Sequence, residues 1–329
     1  MKHVRFGNTG LKVSKLCLGT MTFGLQCDEA TSVAILDRAA QGGMTFIDTA
    51  DVYPLGSPLE LVGRTEEIVG RWLRGKREQF ILATKCGFDM GPLDWQRGAS
   101  RKHVLHAVDA SLKRLGTDYV DLYQVHHPDA DTPMDETLEA FDTVLRSGKA
   151  RYIGCSNYPA WRLARALGRS EAMGFHKFIS TQPRYNLLFR QNERELFPLC
   201  REEGIAVIPY NPLAGGMLTG KHRRSATPAE GRFTLGKAAK MYTERYWHDR
   251  EWDTVDAFVK MAGQAGLEPA TLAMAWVIAN PVVTASIIGA SRPEQLDAIL
   301  AAAELKLDPA LKTALDELTH EFRMGDAAR

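Results

Sequence analysis

Four polar residues of complementary chemistry follow short apolar runs in the first half of the chain. Asp48 ends the run TFI, Tyr53 follows five residues later, Lys85 ends FILAT, and His126 ends YVDLYQV. A lone carboxylate or ammonium group at the end of a buried strand is costly to desolvate, so we expect Asp48 and Lys85 to pair. A cation beside Tyr53 favours the phenolate, and we expect it to lower the pKa of the tyrosine toward neutral pH.

A tyrosine tuned in this way can donate a proton to a carbonyl oxygen or accept one from an alcohol. His126 could orient that carbonyl and hydrogen-bond its oxygen. The set therefore predicts proton transfer at oxygen, and it does not identify a hydride source. Two other interpretations stay open: a purely structural Asp48–Lys85 ion pair, and a metal site of barrel hydrolases in which His126 and His127 act with Asp48 or Asp51.

The elements that must position these residues alternate between short apolar runs and amphipathic stretches. Eight runs predict β-strands, at residues 15–19, 45–49, 80–84, 119–125, 150–154, 178–182, 206–210 and 284–288. Helical spacing of apolar residues predicts the intervening helices. They lie at residues 30–41, 59–73, 102–115, 133–146, 160–167, 193–203, 254–265, 269–279 and 293–303.

Strands that alternate with helices form a parallel sheet covered by helices, and eight right-handed units can close into a barrel. An open doubly wound sheet is disfavoured because no G-x-G-x-x-G turn follows an early strand. We therefore predict one α/β domain over residues 1–329, a (β/α)8 TIM barrel. A β-hairpin at residues 3–13 should cap its bottom, and residues 309–322 should form an extra C-terminal helix.

Residues just past the strands of such a barrel face one mouth, where barrel enzymes hold their active sites. Tyr210 after the seventh strand is by itself more typical of a core residue, and only its barrel position favours a place in the site. The polar stretch 215–250 that follows is interpreted as a long loop that is partly solvated and partly cofactor-binding.

The composition limits the partners. Lysine and arginine number 41 against 40 aspartate and glutamate, a net charge of +1 that provides no electrostatic case for nucleic acid or an anionic membrane. The five cysteines are scattered without a C-x-x-C pair, which argues against a disulfide framework or a structural zinc site. No segment is typical of a signal peptide or membrane span. The expected location is the cytoplasm, and the oligomeric state stays open.

Longer motifs around these residues resemble the aldo-keto reductase family along nearly the whole chain. The motifs are FIDTADVY at 46–53, TK at 84–85, DLYQVH at 121–126, GCSN at 154–157, QPRYNL at 182–187, YNPLAGGMLTGK at 210–221 and IIGASRPEQL at 287–296. The long loop after the seventh strand and the QPRYNL segment resemble the bacterial and potassium-channel β-subunit branches of that family.

The resemblance implies NADPH-dependent reduction of an aldehyde or ketone by hydride transfer, without a metal. Its catalytic tetrad would be Asp48, Tyr53, Lys85 and His126. Tyr53 would be the general acid in reduction, Lys85 paired with Asp48 would tune it, and His126 would position the carbonyl. The channel-subunit branch suggests a second function, an NADPH-binding redox-sensing regulatory subunit with slow turnover.

The resemblance also implies a cofactor site. Ser156, Asn157 and Gln182 would hold the nicotinamide carboxamide, and Tyr210 would stack on the ring. The other cofactor residues would be Gly19, Thr20, Met21, Asp48, Asn211, Pro212, Leu213, Ala214, Gly215, Lys221, Arg232, Gly289, Ser291, Arg292 and Gln295.

The adenosine end of this implied site carries the choice of nucleotide. Ser291 and Arg292, opening a helix, would favour NADPH over NADH, because a helix N-terminus and a guanidinium suit a 2′-phosphate. The family commonly has Glu and Asn where this chain has Ala298 and Ile299, so its adenine contacts depart from the pattern. Loops at the mouth predict an apolar substrate pocket. Its residues would be Met21, Phe23, Tyr53, Phe88, Trp95 and His126.

Overall fold

The structure, a computed structural model, describes residues 1–226, 228, 231–236 and 238–324. Two short antiparallel strands form an N-terminal hairpin, β1 (His3–Arg5) and β2 (Lys12–Ser14). Eight further strands form one parallel sheet. They are β3 (Leu16–Gly19), β4 (Phe46–Asp48), β5 (Ile81–Cys86), β6 (Val120–Val125), β7 (Ala150–Ser156), β8 (Ser180–Gln182), β9 (Ala206–Val207) and β10 (Ser286–Ile288).

The sheet closes on itself. Its strand order is β10-β3-β4-β5-β6-β7-β8-β9, so β9 and β10 are its two ends. These ends meet, because the amide of Thr284 donates to the carbonyl of Val207 at 2.8 Å and the amide of Ile287 donates to that of Pro209 at 2.8 Å. The predicted (β/α)8 barrel is confirmed.

Helices follow the strands and cover the outside of the barrel. The described residues contain α1 (Glu29–Gln41), α2 (Arg64–Leu73), α3 (Arg101–Leu115), α4 (Met134–Arg146), α5 (Ala160–Met173), α6 (Leu196–Glu202), α7 (Ala238–Tyr246), α8 (Asp249–Gln264), α9 (Pro269–Ile278), α10 (Gln295–Glu304) and α11 (Pro309–Leu318). Their limits have local causes. In α3, for example, the Ser100 side chain accepts a hydrogen bond from the amide of His103, and Gly116 ends the helix in a left-handed conformation.

Three predictions about helices are wrong in detail. The helix predicted at 59–73 begins only at Arg64, because Gly63, with a φ of 89°, interrupts it after a 3-10 turn. The stretch interpreted as a long loop contains α7, whose buried side chains recur at helical spacing. The last barrel helix begins at Gln295, so Ser291 and Arg292 lie in the turn that precedes it.

The core has two layers because successive strand residues point to opposite sides of the sheet. Inward residues such as Phe46 on β4, Ala83 on β5 and Leu122 on β6 fill the barrel. Phe6 of the hairpin joins them, packing edge-on against Phe46 with ring centroids 5.8 Å apart. The hairpin thus closes the bottom of the barrel as predicted. Outward residues, such as Leu82 on β5, pack against the helices.

No helix in the described part of the chain is long and apolar enough to cross a membrane.

Candidate active site

The inward face of the strands changes from apolar to polar at their carboxyl ends. Asp48 lies two residues after Phe46 on β4, Lys85 two after Ala83 on β5, and Gln124 two after Leu122 on β6. Because the period of a strand is two residues, each of these polar side chains takes the next inward position. The parallel register pairs Lys85 with Gln124, so the polar residues form one layer above the apolar core.

Lys85 and Asp48 form the predicted ion pair inside the barrel. The Lys85 ammonium lies 2.6 Å from Oδ2 of Asp48, and the two side chains are 0% and 2% exposed. The ammonium also donates to the carbonyl of Thr49 at 2.7 Å and to the Tyr53 hydroxyl at 3.5 Å. Oδ1 of Asp48 accepts from Gln182 Nε2 at 2.9 Å and from Gln124 Nε2 at 3.3 Å. Both charges are therefore compensated, and Lys85 faces the tyrosine.

The pKa of Tyr53 does not fall as we expected from the sequence. Burial raises the pKa of Tyr53 to about 12, and the positive charge of Lys85 only partly opposes that shift. The prediction overestimated the cation because the sequence does not show how completely the phenol is desolvated, and burial penalises the phenolate. Tyr53 is consequently a protonated hydrogen-bond donor at neutral pH.

His126 lies against two aromatic rings of the cavity wall. Its ring centroid is 5.7 Å from that of Tyr53 and 4.6 Å from that of Phe88, both edge-on. Burial, followed by the charge of Lys85, holds the pKa of His126 well below its usual value. The imidazole is thus neutral at physiological pH and retains one N–H that can donate a hydrogen bond.

The side chains of Tyr210, Asn157 and Ser156 form a connected polar group with two backbone carbonyls, beside Asp48, Tyr53, Lys85 and His126. The Tyr210 hydroxyl donates to Oδ1 of Asn157 at 2.8 Å, and Nδ2 of Asn157 donates to the carbonyl of His126 at 3.0 Å and to Ser156 Oγ at 3.0 Å. Ser156 Oγ donates to the carbonyl of Gln182 at 2.9 Å. Asn157 has a φ of 60°, a left-handed conformation that asparagine tolerates. These contacts fix the amides at the barrel mouth.

These groups border a cavity of about 540 Å³. Most predicted site residues line it, whereas Lys85 lies behind Tyr53. The predicted residues on the lining are Gly19, Thr20, Met21, Asp48, Tyr53, Phe88, His126, Ser156, Asn157, Gln182, Tyr210, Asn211, Pro212, Leu213, Gly215, Lys221, Arg232, Gly289, Ser291 and Gln295.

Besides Lys85, four predicted residues lie outside that lining. Phe23 is fully buried in the outer core, and Trp95 packs against His106 beside α3 with ring centroids 5.3 Å apart. The structure therefore does not bring these two predicted pocket residues to the cavity, because a loop at the mouth can turn its aromatic side chains toward the helices. Ala214 is buried beneath the loop, and Arg292 is exposed beside the cavity.

The part of the cavity beside the glycine-rich loop, residues 211–221, suits a phosphate group. Gly215 and Gly216 both have positive φ, and a Cβ on Gly215 would lie 2.8 Å from the ring of Tyr242. Arg232 and Lys221 line the same region. Nη1 of Arg232 is buried and has no hydrogen-bond partner among the described residues, which an anion would supply.

The turn before α10 builds the part of the cavity that the sequence analysis assigned to adenosine. Oε1 of Gln295 accepts from the amide of Ser291 at 2.8 Å and from its hydroxyl at 3.3 Å, which orders the turn. Ala298 and Ile299, the positions that depart from the family pattern, line this end together with Glu294. Ala298 and Ile299 provide an apolar wall without side-chain donors. The residues present fit a dinucleotide, with amides at one end and cations in the middle.

Sequence reasoning missed two groups of site residues. Gln124 bonds Asp48, and its inward position two residues after Leu122 could have revealed it. Met241, Tyr242 and Arg245 of α7 also line the cavity. They were missed because their segment was interpreted as a loop, although Tyr242 and Tyr246 show helical spacing.

Two observations concern metal binding and disulfide bonds, which the sequence analysis also considered. Within residues 1–226, 228, 231–236 and 238–324, no group of three or more His, Cys, Asp and Glu side chains is arranged to hold a metal ion. The five cysteines are all free and buried.

Comparison with known proteins identifies the family. The family model of the "Aldo/keto reductase family" matches residues 15–320, and the chain belongs to this family of oxidoreductases. The resemblance stated from the motifs is confirmed.

Individual relatives cover nearly the whole chain. An "uncharacterized oxidoreductase YrpG" of Bacillus subtilis is 40% identical over 97% of this chain and 96% of its own length. The versiconal hemiacetal acetate reductase of Aspergillus parasiticus is 35% identical over 94% of both chains. A probable voltage-gated potassium channel subunit beta of Arabidopsis thaliana is 36% identical over 93% of this chain and 92% of its own length.

Proposed function

We propose that this protein is an NADPH-dependent reductase that converts an aldehyde or ketone to an alcohol, with Tyr53 as the general acid. The observation that carries the proposal is the chain of contacts from Asp48 through Lys85 to the Tyr53 hydroxyl, at 2.6 and 3.5 Å, at the wall of a large cavity. His126 lies on the same wall. A proton donor, a cation behind it and a neutral imidazole are the groups that carbonyl reduction needs.

The tetrad residues act on the substrate oxygen. Tyr53 holds its proton at neutral pH and donates it to the carbonyl oxygen as negative charge develops there. Lys85 then stabilises the phenolate that remains, and Asp48 keeps the lysine charged and oriented. His126 donates a hydrogen bond to the same oxygen and fixes the orientation of the carbonyl.

The cofactor site follows from the same cavity. Ser156, Asn157 and Gln182 would hold the carboxamide, Tyr210 would stack on the nicotinamide, and Arg232 with Lys221 would bind phosphates. When bound there, the reduced nicotinamide supplies the hydride. The other cofactor assignments made from the sequence stay proposals, including Ser291 and Arg292 for a 2′-phosphate. Cytoplasmic location stays an expectation from the sequence.

The decisive experiment separates proton donation from cofactor binding. Tyr53→Phe should lower kcat for aldehyde reduction by about 100-fold or more, whereas the Kd for NADPH, followed by protein fluorescence, stays within about threefold of the wild-type value. Tyr119→Phe is the matched control, because the Tyr119 hydroxyl bonds Glu78 on the outside of the barrel. Full activity of Tyr53→Phe would refute the assignment.

Nucleotide preference needs its own test. Arg292→Ala should weaken NADPH binding and leave NADH binding nearly unchanged, since only NADPH carries the 2′-phosphate. An equal loss for both nucleotides would contradict the 2′-phosphate role.

A second candidate is a redox-sensing regulatory subunit that binds NADPH and turns over slowly. The similarity to the Arabidopsis channel subunit favours it. Multiple turnovers across a panel of aldehydes, at rates of about 1 per second or more, decide for the enzyme. A single slow turnover with tight NADPH binding decides for the subunit.

A further inference from the structure

Helix α7 forms part of the cavity wall. Met241, Tyr242 and Arg245 line the cavity, and their spacing places them on one face of the helix. The ring of Tyr242 approaches the glycine-rich loop, since a Cβ on Gly215 would lie 2.8 Å from it. The helix is thereby held against the site, and Arg245 brings a guanidinium to the wall.

Arg245 lies near Tyr210 on the cavity lining. It contacts the Tyr210 side chain, where its positive charge opposes the burial that raises the pKa of the Tyr210 phenol. Tyr210 bonds Asn157, which in turn bonds the carbonyl of His126. Tyr242, one turn back on α7, is close enough to influence both Tyr210 and Tyr53. Arg245 therefore lines the same cavity as Tyr53 and His126, the two groups proposed to act on the carbonyl oxygen.

The charge of Arg245 is not neutralised by a carboxylate of the described residues, since none lies within 4.0 Å of its guanidinium. Other arginines of this region do have such partners; Arg224, for example, bonds Asp253. Of the carboxylates on the cavity lining, Asp48 is paired with Lys85, and Glu268 and Glu294 lie on the side of α9 and α10.

The lining also contains two other cations, Lys221 and Arg232. The ammonium of Lys221 is 3.7 Å from a Cβ placed on Gly231, and Nη2 of Arg232 is 3.3 Å from one placed on Gly289. These two cations border the phosphate region, so the proposed cofactor already accounts for them. Arg245 is the remaining cation of the lining, which also includes the apolar side chains of Met21, Leu55 and Phe88.

We propose that Arg245 binds an anionic group of the substrate, and that the preferred substrates are aldehydes or ketones that carry a carboxylate. The planar guanidinium matches a carboxylate in charge and geometry, and the apolar side chains of the lining suit the carbon skeleton between carboxylate and carbonyl. This inference rests on the proposed reductase function, because it specifies the substrate of the same site.

The wild-type enzyme provides the first test, without any substitution. Its kcat/KM with NADPH is measured for 3- and 4-carboxybenzaldehyde and for their methyl esters, which keep the reacting aldehyde and remove the charge. At least one acid should be reduced more efficiently than its ester, by about 10-fold, or 1.4 kcal/mol. The preference should shrink with added salt, because the guanidinium is partly exposed. A preference for the esters in both pairs would overturn the proposal.

Substitution then assigns the preference to Arg245. Arg245→Leu should lower the acid-to-ester ratio by about 10-fold or more, and Arg245→Lys should retain part of it. The ratio is internally normalised, so a partial loss of folded protein does not affect it. Arg224→Leu is the matched control, since Arg224 pairs with Asp253 away from the cavity and its loss should leave the ratio unchanged.

The outcomes separate this inference from the function on which it rests. An unchanged ratio in Arg245→Leu overturns the inference, and a weakened Kd for NADPH with an unchanged ratio assigns Arg245 to the cofactor instead. If esters and acids are reduced equally well, the reductase stands and only the anionic preference fails. If neither aldehyde is reduced, the proposed function fails, and the inference fails with it.

Discussion

Replacing Lys85 with methionine removes the cation that faces the Asp48 carboxylate inside the barrel. Both side chains are almost inaccessible, and breaking a buried ion pair costs about 3–5 kcal/mol of unfolding free energy. Oδ1 of Asp48 keeps its hydrogen bonds from Gln182 and Gln124, while Oδ2 loses a contact of 2.6 Å. Because Oδ1 keeps its hydrogen bonds from the two amides, we expect the free energy of unfolding to fall by about 3 kcal/mol.

Substitution of Asp48, alone and together with Lys85, completes a double-mutant cycle. Asp48→Asn leaves the ammonium with the carbonyl of Thr49 and the hydroxyl of Tyr53, and it should cost a similar amount. Asp48→Asn/Lys85→Met removes both charges together, so no ion is left buried without a partner. Its loss should be smaller than the sum of the single losses by about 2 kcal/mol.

Stability and activity should respond differently to this cycle. Unfolding in urea, followed by circular dichroism, measures the free energies, and NADPH-dependent aldehyde reduction measures kcat/KM. The double variant should lose less stability than the two single losses added together, whereas its kcat/KM should stay at least about 100-fold below wild type, because no cation stabilises the Tyr53 phenolate. Additive losses of stability would refute the buried pair. Wild-type activity in the double variant would show that the pair is purely structural.

Further predictions concern proton equilibria and packing. From about pH 7 to pH 9, kcat/KM for reduction should be flat, since Tyr53 has a pKa of about 12 and His126 is already neutral; a break in this range that is lost in Tyr53→Phe would contradict this. Burial lowers the pKa of His103 from 6.5 to about 4, so the unfolded chain binds a proton first as the pH falls below 6.5. Urea unfolding should show about 2 kcal/mol lost between pH 6.5 and 5 that His103→Leu does not lose; equal losses would exclude His103. Gly70→Ala should destabilise by about 1–3 kcal/mol, because its Cβ would lie 2.5 Å from a backbone oxygen of α3, whereas Gly168→Ala, with no neighbour within 4 Å, should not destabilise; equal thermal shifts would refute this.

The strands and the polar residues at their ends could be predicted because their signals are local. Apolar runs that end in Asp48, Lys85 and His126 identify strand ends, and parallel strands place such ends at one mouth. The direction of an aromatic side chain on a mouth loop could not be predicted, because it can point either to the cavity or to the helices. Phe23 and Trp95 follow strands as Phe88 does, yet they turn toward the helices, and only packing against the surrounding elements decides that direction.

By itself, the sequence determined the order of strands and helices, the closure into a barrel and the chemical types gathered at its mouth. Those properties follow from the periodicity of apolar residues and from the residue types that end each strand. Only the tertiary structure decided that Tyr53 stays protonated, that Gln124 supports Asp48, and that α7 brings Arg245 to the cavity. Desolvation and the approach of distant segments depend on every neighbour in space, and a pattern along the chain does not contain them.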